Sequence, residues 1–246
     1  IYRQETSGWV VQGLLAIGFL SSAYAILQFT QNSQRILWEI QPMVYYKRYG
    51  ATFVNPNHLA AFLLMLVPLA LSHAFLGRGN AVQRIVAGYL AFMMLGGIAV
   101  TMSRGGWLGA AVAVATFSLW LLRRPQYRIP MAVLMVLLCL GAVTFLSKSE
   151  KARARIDALT VSGKKDSGLF RAWIWKPALQ MWSDHQWTGV GPGQFDSRFP
   201  AYRTPTTPLS PQHVHNEYLE LLVEYGVAGA GIVGFGLLAF GYGLYR

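Results

Sequence analysis

Charge is what this sequence has least of. Only 13% of its 246 residues are Asp, Glu, Lys or Arg, whereas a soluble domain carries about 25%. That deficit argues against water as the main solvent of the fold. Acidic residues are scarcer still, 10 against 21 Lys and Arg, which leaves a net charge of +11. A balance of this sign suits nucleic acid, anionic lipid or a phosphorylated substrate. The charges sit between apolar runs, and no basic region has a nucleic-acid-binding signature. No nucleic-acid partner is therefore expected. One cysteine, Cys139, lies inside an apolar run, which excludes an intrachain disulfide and argues against a cysteine-held metal. Also missing are a glycine-rich phosphate loop at a strand–helix junction, a Gly-x-Ser-x-Gly elbow and an Asp-x-Asp sugar-nucleotide pattern. Nothing demands a nucleotide donor, and no cofactor or metal is expected. The chain opens on Ile1 without a secretory-signal pattern, and reads as a piece of a longer polytopic protein.

What is abundant is apolar length. A bilayer is crossed by about 20 mostly apolar residues, and six stretches qualify: 8–29, 59–76, 85–102, 107–122, 129–146 and 219–245. The expected fold is all-α, a polytopic membrane helix bundle forming one domain over 1–246. A large, mostly helical or irregular loop, 147–218, is inserted between the last two spans. Arg78 and Arg84 flank one tight loop, and Arg123, Arg124 and Arg128 crowd another. Placing both in the cytoplasm sends the loops at 30–58, 103–106 and 147–218 outward. Within the long loop, residues 147–159 read as a solvated helix whose Glu150, Lys151, Arg153, Arg155 and Asp157 form a wet surface. Trp173, Trp175, Trp182 and Trp187 follow, a composition suited to the membrane–water interface. From Gly189 to Pro211, glycines and prolines forbid long regular elements.

The chemistry-bearing residues collect where the long polar segment meets the last apolar one, in Pro211-Gln212-His213-Val214-His215-Asn216-Glu217. Imidazole moves protons near neutral pH. Asn216 fits an N-cap with Glu217 and Glu220 in the first helical turn, so both histidines would precede the helix. His215 can serve as a general base with His213 supporting it or binding acceptor. The pair can also be interfacial residues that only cap and hydrogen-bond, or part of a metal site lacking a convincing third ligand. Arg104, in Ser103-Arg104-Gly105-Gly106, offers a planar fork suited to diphosphate, its neighbouring glycines permitting close backbone approach. A snorkelling role fits it equally. Arg171 carries the same two readings. Asn57 or His58 can cap the second span, and Asn57 can alternatively contact a sugar. Glu224 reads as a structural tie, and Gly226, Ala230 and Gly234 as a small-residue stripe for helix packing.

Four stretches together resemble the O-antigen ligase and polymerase superfamily of bacterial envelope glycosyltransferases. They are Asn55-Pro56-Asn57-His58, Ser103-Arg104-Gly105-Gly106, Arg171–Trp175 followed by Gly189-Val190-Gly191-Pro192-Gly193, and His213–Leu219 with Glu224-Tyr225-Gly226. The resemblance implies a multi-pass protein of the bacterial inner membrane with its active site on the periplasmic face. It implies metal-independent transfer of a glycan from an undecaprenyl-diphosphate carrier to a glycan, lipid A–core or protein acceptor, among membrane lipids. By position, His215 would be the base on the acceptor hydroxyl and Arg104 and Arg171 would hold the diphosphate. His213, Asn216, Glu217 and Asn57 would lie on the supporting, acceptor side. The superfamily also includes members labelled as inorganic-carbon transporters, so an anion transporter is the alternative activity.

Overall fold

The computed structural model describes residues 4–40, 42, 45–154, 167–203 and 211–245. These residues are mainly helical, with six helices long and apolar enough to cross a membrane. The chain divides into two compact units, Ile1–Arg155 and Ile156–Arg246.

The first unit holds five of the six helices: α1 (Gln4–Thr30), α2 (Pro56–Leu76), α3 (Ala81–Val100), α4 (Arg104–Leu122) and α5 (Arg128–Lys148). Each start has a local cause. Asn55 accepts from the Asn57 N–H and sets Pro56 at the first helical position of α2. Asn80 and Gln83 close a reciprocal capping box on α3, and the Ser103 side chain accepts from the Gly106 N–H to open α4. The second-span cap is thus Asn55, not Asn57 or His58. α3 is the hub, packed on both α1 and α2; its Ala91, Met94 and Ile98 share one buried cluster with Leu15 and Ala25 of α1 and Leu63, Leu66 and Val67 of α2. α5 instead turns Val133, Leu137, Leu140 and Val143 outward, each more than half exposed, a surface that suits hydrocarbon rather than water.

The loop after α1 contains a two-residue antiparallel hairpin, β1 (Arg35–Ile36) on β2 (Glu39–Ile40), which the polar pattern did not announce. At the other end of this unit, Arg84 donates to the carbonyls of Ala74 and Phe75 at the end of α2, and Arg124 lies over the Trp120 ring.

The second unit contains α6 (Ser167–Asp184), the short α7 (Phe195–Arg198) and α8 (Glu217–Tyr245). Its core joins Ile174, Ala178 and Met181 of α6 to Phe195, Phe199, Val214, Leu219 and Val223. The expected helix at 147–159 is seen as the end of α5 and a helical stretch at 150–154; Arg155 and Asp157 lie outside the described residues.

Candidate functional site

The His-Val-His turn is built around its middle residue. Val214 is fully buried against the α6 face, while His213 and His215 on either side of it are exposed. The buried valine anchors the turn and the two imidazoles are presented at the surface. Trp175 of α6 donates its ring N–H to the Val214 carbonyl at 3.1 Å. Glu220, one turn into α8, accepts from His213 Nδ1 at 2.8 Å with one carboxylate oxygen and from the Val214 N–H at 3.0 Å with the other. The hydrogen bond to Glu220 raises the His213 pKa; burial opposes it, and the charges of Glu220, Glu217 and Glu224 add to the rise. Asn216 acts as expected: its Oδ1 accepts from the Leu219 N–H at 3.3 Å at the start of α8. His215 has a left-handed backbone, φ 57°, a conformation uncommon outside glycine. Glu217 is exposed in the first turn.

Two turns further on, α8 is interrupted. Gly226 adopts φ 64° and ψ −169°, a region open essentially to glycine alone. The break orphans carbonyls on one side and N–H groups on the other, and the single loop 186–191 satisfies both sets. Val190 and Gly191 donate to the carbonyls of Val223 and Glu224 at 2.8 and 3.0 Å. Val227 and Ala228 donate to the carbonyls of Gln186 and Trp187 at 2.8 and 3.1 Å. The backbones touch at two glycines. A Cβ on Gly226 would meet the Trp187 carbonyl and the Gly189 nitrogen, the latter at 2.6 Å, and a Cβ on Gly189 would meet the backbone of Glu224 and Tyr225. The small-residue stripe is therefore corrected. Gly226 is a chain break held by a loop, and a Cβ on Gly234 would meet nothing within 4 Å.

α6 also revises the interfacial tryptophan picture. Trp173 and Trp187 are exposed, but Trp175 and Trp182 pack on the core of the unit. Arg171 lies on the α6 backbone, and its side chain falls outside the described residues.

In the first unit, Arg104 is the half-buried first residue of α4. The glycines after it do different work from that expected. A Cβ on Gly105 would meet nothing within 4 Å, whereas one on Gly106 would meet the Ala60 Cβ at 2.8 Å, so Gly106 serves the packing of α4 on α2. Asn57 accepts from Arg48 at 2.6 Å, and the same guanidinium donates through Nε to the Thr101 carbonyl at 3.2 Å. Arg48 thereby joins the Asn55–His58 stretch to Thr101, two residues before the Ser103–Gly106 stretch. Lys151 is likewise more than wet surface: its ammonium donates to Asn32 Oδ1 and to the Tyr49 hydroxyl, both at 2.7 Å, and sits over the rings of Phe29 and Tyr49.

Glu220, Trp175 and Arg48 were not singled out from the sequence as site residues. The basic-aromatic run Tyr45-Tyr46-Lys47-Arg48-Tyr49 was a usable signal for the last; Glu220 had only its place in the first helical turn. Among the described residues no group of three His, Cys, Asp or Glu side chains gathers as a metal cage would require.

The sequence matches the family model described as O-antigen ligase over residues 89–234. That interval contains Arg104, Arg171, both histidines and the Gly189–Gly226 interlock. No curated protein matches the chain. With more than half of its length matched, including the turn at residues 213–216 and the glycine-held break of α8, this multi-pass membrane chain belongs to the O-antigen ligase family.

Proposed function

We propose that this protein transfers a glycan from an undecaprenyl-diphosphate carrier to an acceptor hydroxyl, with His215 as the base. The observation that carries the reading is the turn at the head of α8. A buried valine and a capped helix start hold His215 exposed at the edge of an apolar span, where an acceptor hydroxyl in the aqueous layer can meet a membrane-borne donor. In the proposed step the acceptor oxygen attacks the anomeric carbon while its proton passes to His215. The bond from that carbon to the diphosphate oxygen breaks with inversion, and undecaprenyl diphosphate leaves carrying the electron pair.

Charge grows on the diphosphate as the bond breaks, so cations placed there favour the transition state over the ground state. Arg104 and Arg171 are assigned that role by their positions in the family's motif order; guanidinium suits it through its fixed fork of donors. His213, Asn216, Glu217 and Asn57 are assigned to support and acceptor contact. The acceptor class is a glycan, lipid A–core or a protein. The reaction is placed at the periplasmic face of the bacterial inner membrane and needs no metal.

The test is glycan transfer by the full-length protein in membranes supplied with a prenyl-diphosphate-linked donor. Transfer should survive a chelator and fall about 100- to 1000-fold in Arg104→Ala and in Arg171→Ala. Full activity in both variants at normal membrane levels would remove the clamp. A loss to chelator that added metal restores would remove metal independence.

A further inference from the structure

We infer that Glu220 is a positioning residue for His215, acting through the turn that both histidines share. The inference rests on the reading of His215 as the base and adds a residue that reading does not require. Its ground is the division of labour within one carboxylate. One oxygen holds the ring of His213 and the other holds the backbone N–H of Val214, the residue directly before His215. On the other side of the same residue, the Trp175 ring N–H holds the Val214 carbonyl, in the peptide that leads into His215. The chain entering His215 is thus gripped from α8 and from α6 at once, and it leaves through Asn216, whose own carbonyl accepts from the Glu220 N–H at 2.8 Å.

Glu220 therefore touches the turn at three points: a side chain before His215, a backbone group before it and a backbone group after it. A left-handed residue persists only where its surroundings over-determine it, and His215, at φ 57°, is such a residue. Glu220 is only half-buried. An acidic residue near an apolar span that spends both oxygens on one short turn is explained by control of that turn better than by solvation.

The control fails in a recognisable way when the carboxylate is removed. Without it, Val214 loses its bond to α8 and keeps its burial and the bond from Trp175. The imidazole then samples more than one position. Displacement of a catalytic group by about 1 Å can cost on the order of 100-fold in rate.

A double-mutant cycle on the full-length protein tests this, with initial transfer rates from a prenyl-diphosphate-linked donor normalised to membrane-inserted protein. Glu220→Ala should lower kcat about 10- to 100-fold with little change in KM for the donor. Glu220→Gln keeps an oxygen for the Val214 N–H and the size of the side chain, so it should recover part of the loss and guards against misfolding. The deciding arm is Glu220→Ala in a His215→Ala background, where no further loss beyond about twofold is expected. If the two losses multiply, Glu220 acts on something other than His215 and the inference falls. If Glu220→Ala is fully active while His215→Ala is not, the inference falls and the base assignment stands. If His215→Ala is itself fully active, the base assignment falls, whatever Glu220 does.

Discussion

Replacing Gly226 with alanine is the sharpest single perturbation of the second unit. At φ 64° and ψ −169° a side chain costs about 1–3 kcal/mol from the backbone alone. The added Cβ would also press on the Trp187 carbonyl and on the Gly189 nitrogen at 2.6 Å. Both are main-chain atoms that cannot rotate away, and forced overpacking adds about 1–3 kcal/mol. Relief by separation of the loop from α8 would break the four crossing hydrogen bonds of residues 186–191, each contributing about 1 kcal/mol. Either route costs about 4 kcal/mol, a large share of the roughly 5–15 kcal/mol that holds a domain folded. Thermal unfolding of detergent-solubilised protein should show it as a fall of about 8–16 °C, at roughly 2–4 °C per kcal/mol. Gly234→Ala is the control, because a Cβ there meets nothing and a helical glycine is about 0.5–1 kcal/mol worse than alanine. Unfolding of the two variants together, within about 2 °C, would refute this role for Gly226.

Arg48→Met should loosen the junction of Asn57 with Thr101 by about 1.5–3 kcal/mol, the range for hydrogen bonds to charged groups. Hydrogen exchange of the amides of Asn57 and His58 and of residues 101–104 should rise, and an unchanged pattern would count against the junction. The His213–Glu220 pair predicts a pH effect of defined sign. The Glu220 hydrogen bond raises the His213 pKa above 6.5, so the pair stabilises fully below that value and its contribution is lost as pH rises through the raised one. The His213 side chain is 68% exposed, which limits the effect to below about 1 kcal/mol. The melting-temperature advantage of the wild type over His213→Gln should therefore shrink on going from about pH 5.5 to about pH 9; an advantage independent of pH would dissociate the pair from the turn's stability. Trp175→Phe keeps the ring in the core but removes its bond to Val214, and should cost about 0.5–1.5 kcal/mol, read as a small fall in melting temperature. A variant as stable as the wild type would make that bond dispensable.

The spans were legible because their signal is strong and local. A run of about 20 apolar residues is read without knowing its neighbours, and α2 through α5 begin and end within a few residues of the stretches expected. Asn216 was legible for the same reason, as a cap next to its helix. Asn55 also had a local signal, since a proline just after it belongs at the first helical position, but Asn57 offered the same chemistry two residues on. What the sequence concealed was pairing at a distance. Lys151 meets Asn32 and Tyr49, 119 and 102 residues away, and no composition rule separates such a lysine from a solvated one. Gly226 sits in Tyr225-Gly226-Val227-Ala228-Gly229, a run that reads as a continuous span. Its break becomes visible only once Gly189, 37 positions earlier, is laid against it. Glu220 was hidden similarly: a first-turn carboxylate has a sufficient explanation in the helix dipole until its two oxygens are seen on the preceding turn.

The most direct measurement of the central claim is the single-turnover rate of glycan transfer by full-length His215→Ala beside His213→Ala, at saturating lipid-linked donor and equal membrane level. Removal of a general base should slow the chemical step by about 100-fold or more in His215→Ala, with a smaller loss in His213→Ala. Wild-type turnover by His215→Ala would contradict the account, as would the larger loss falling on His213.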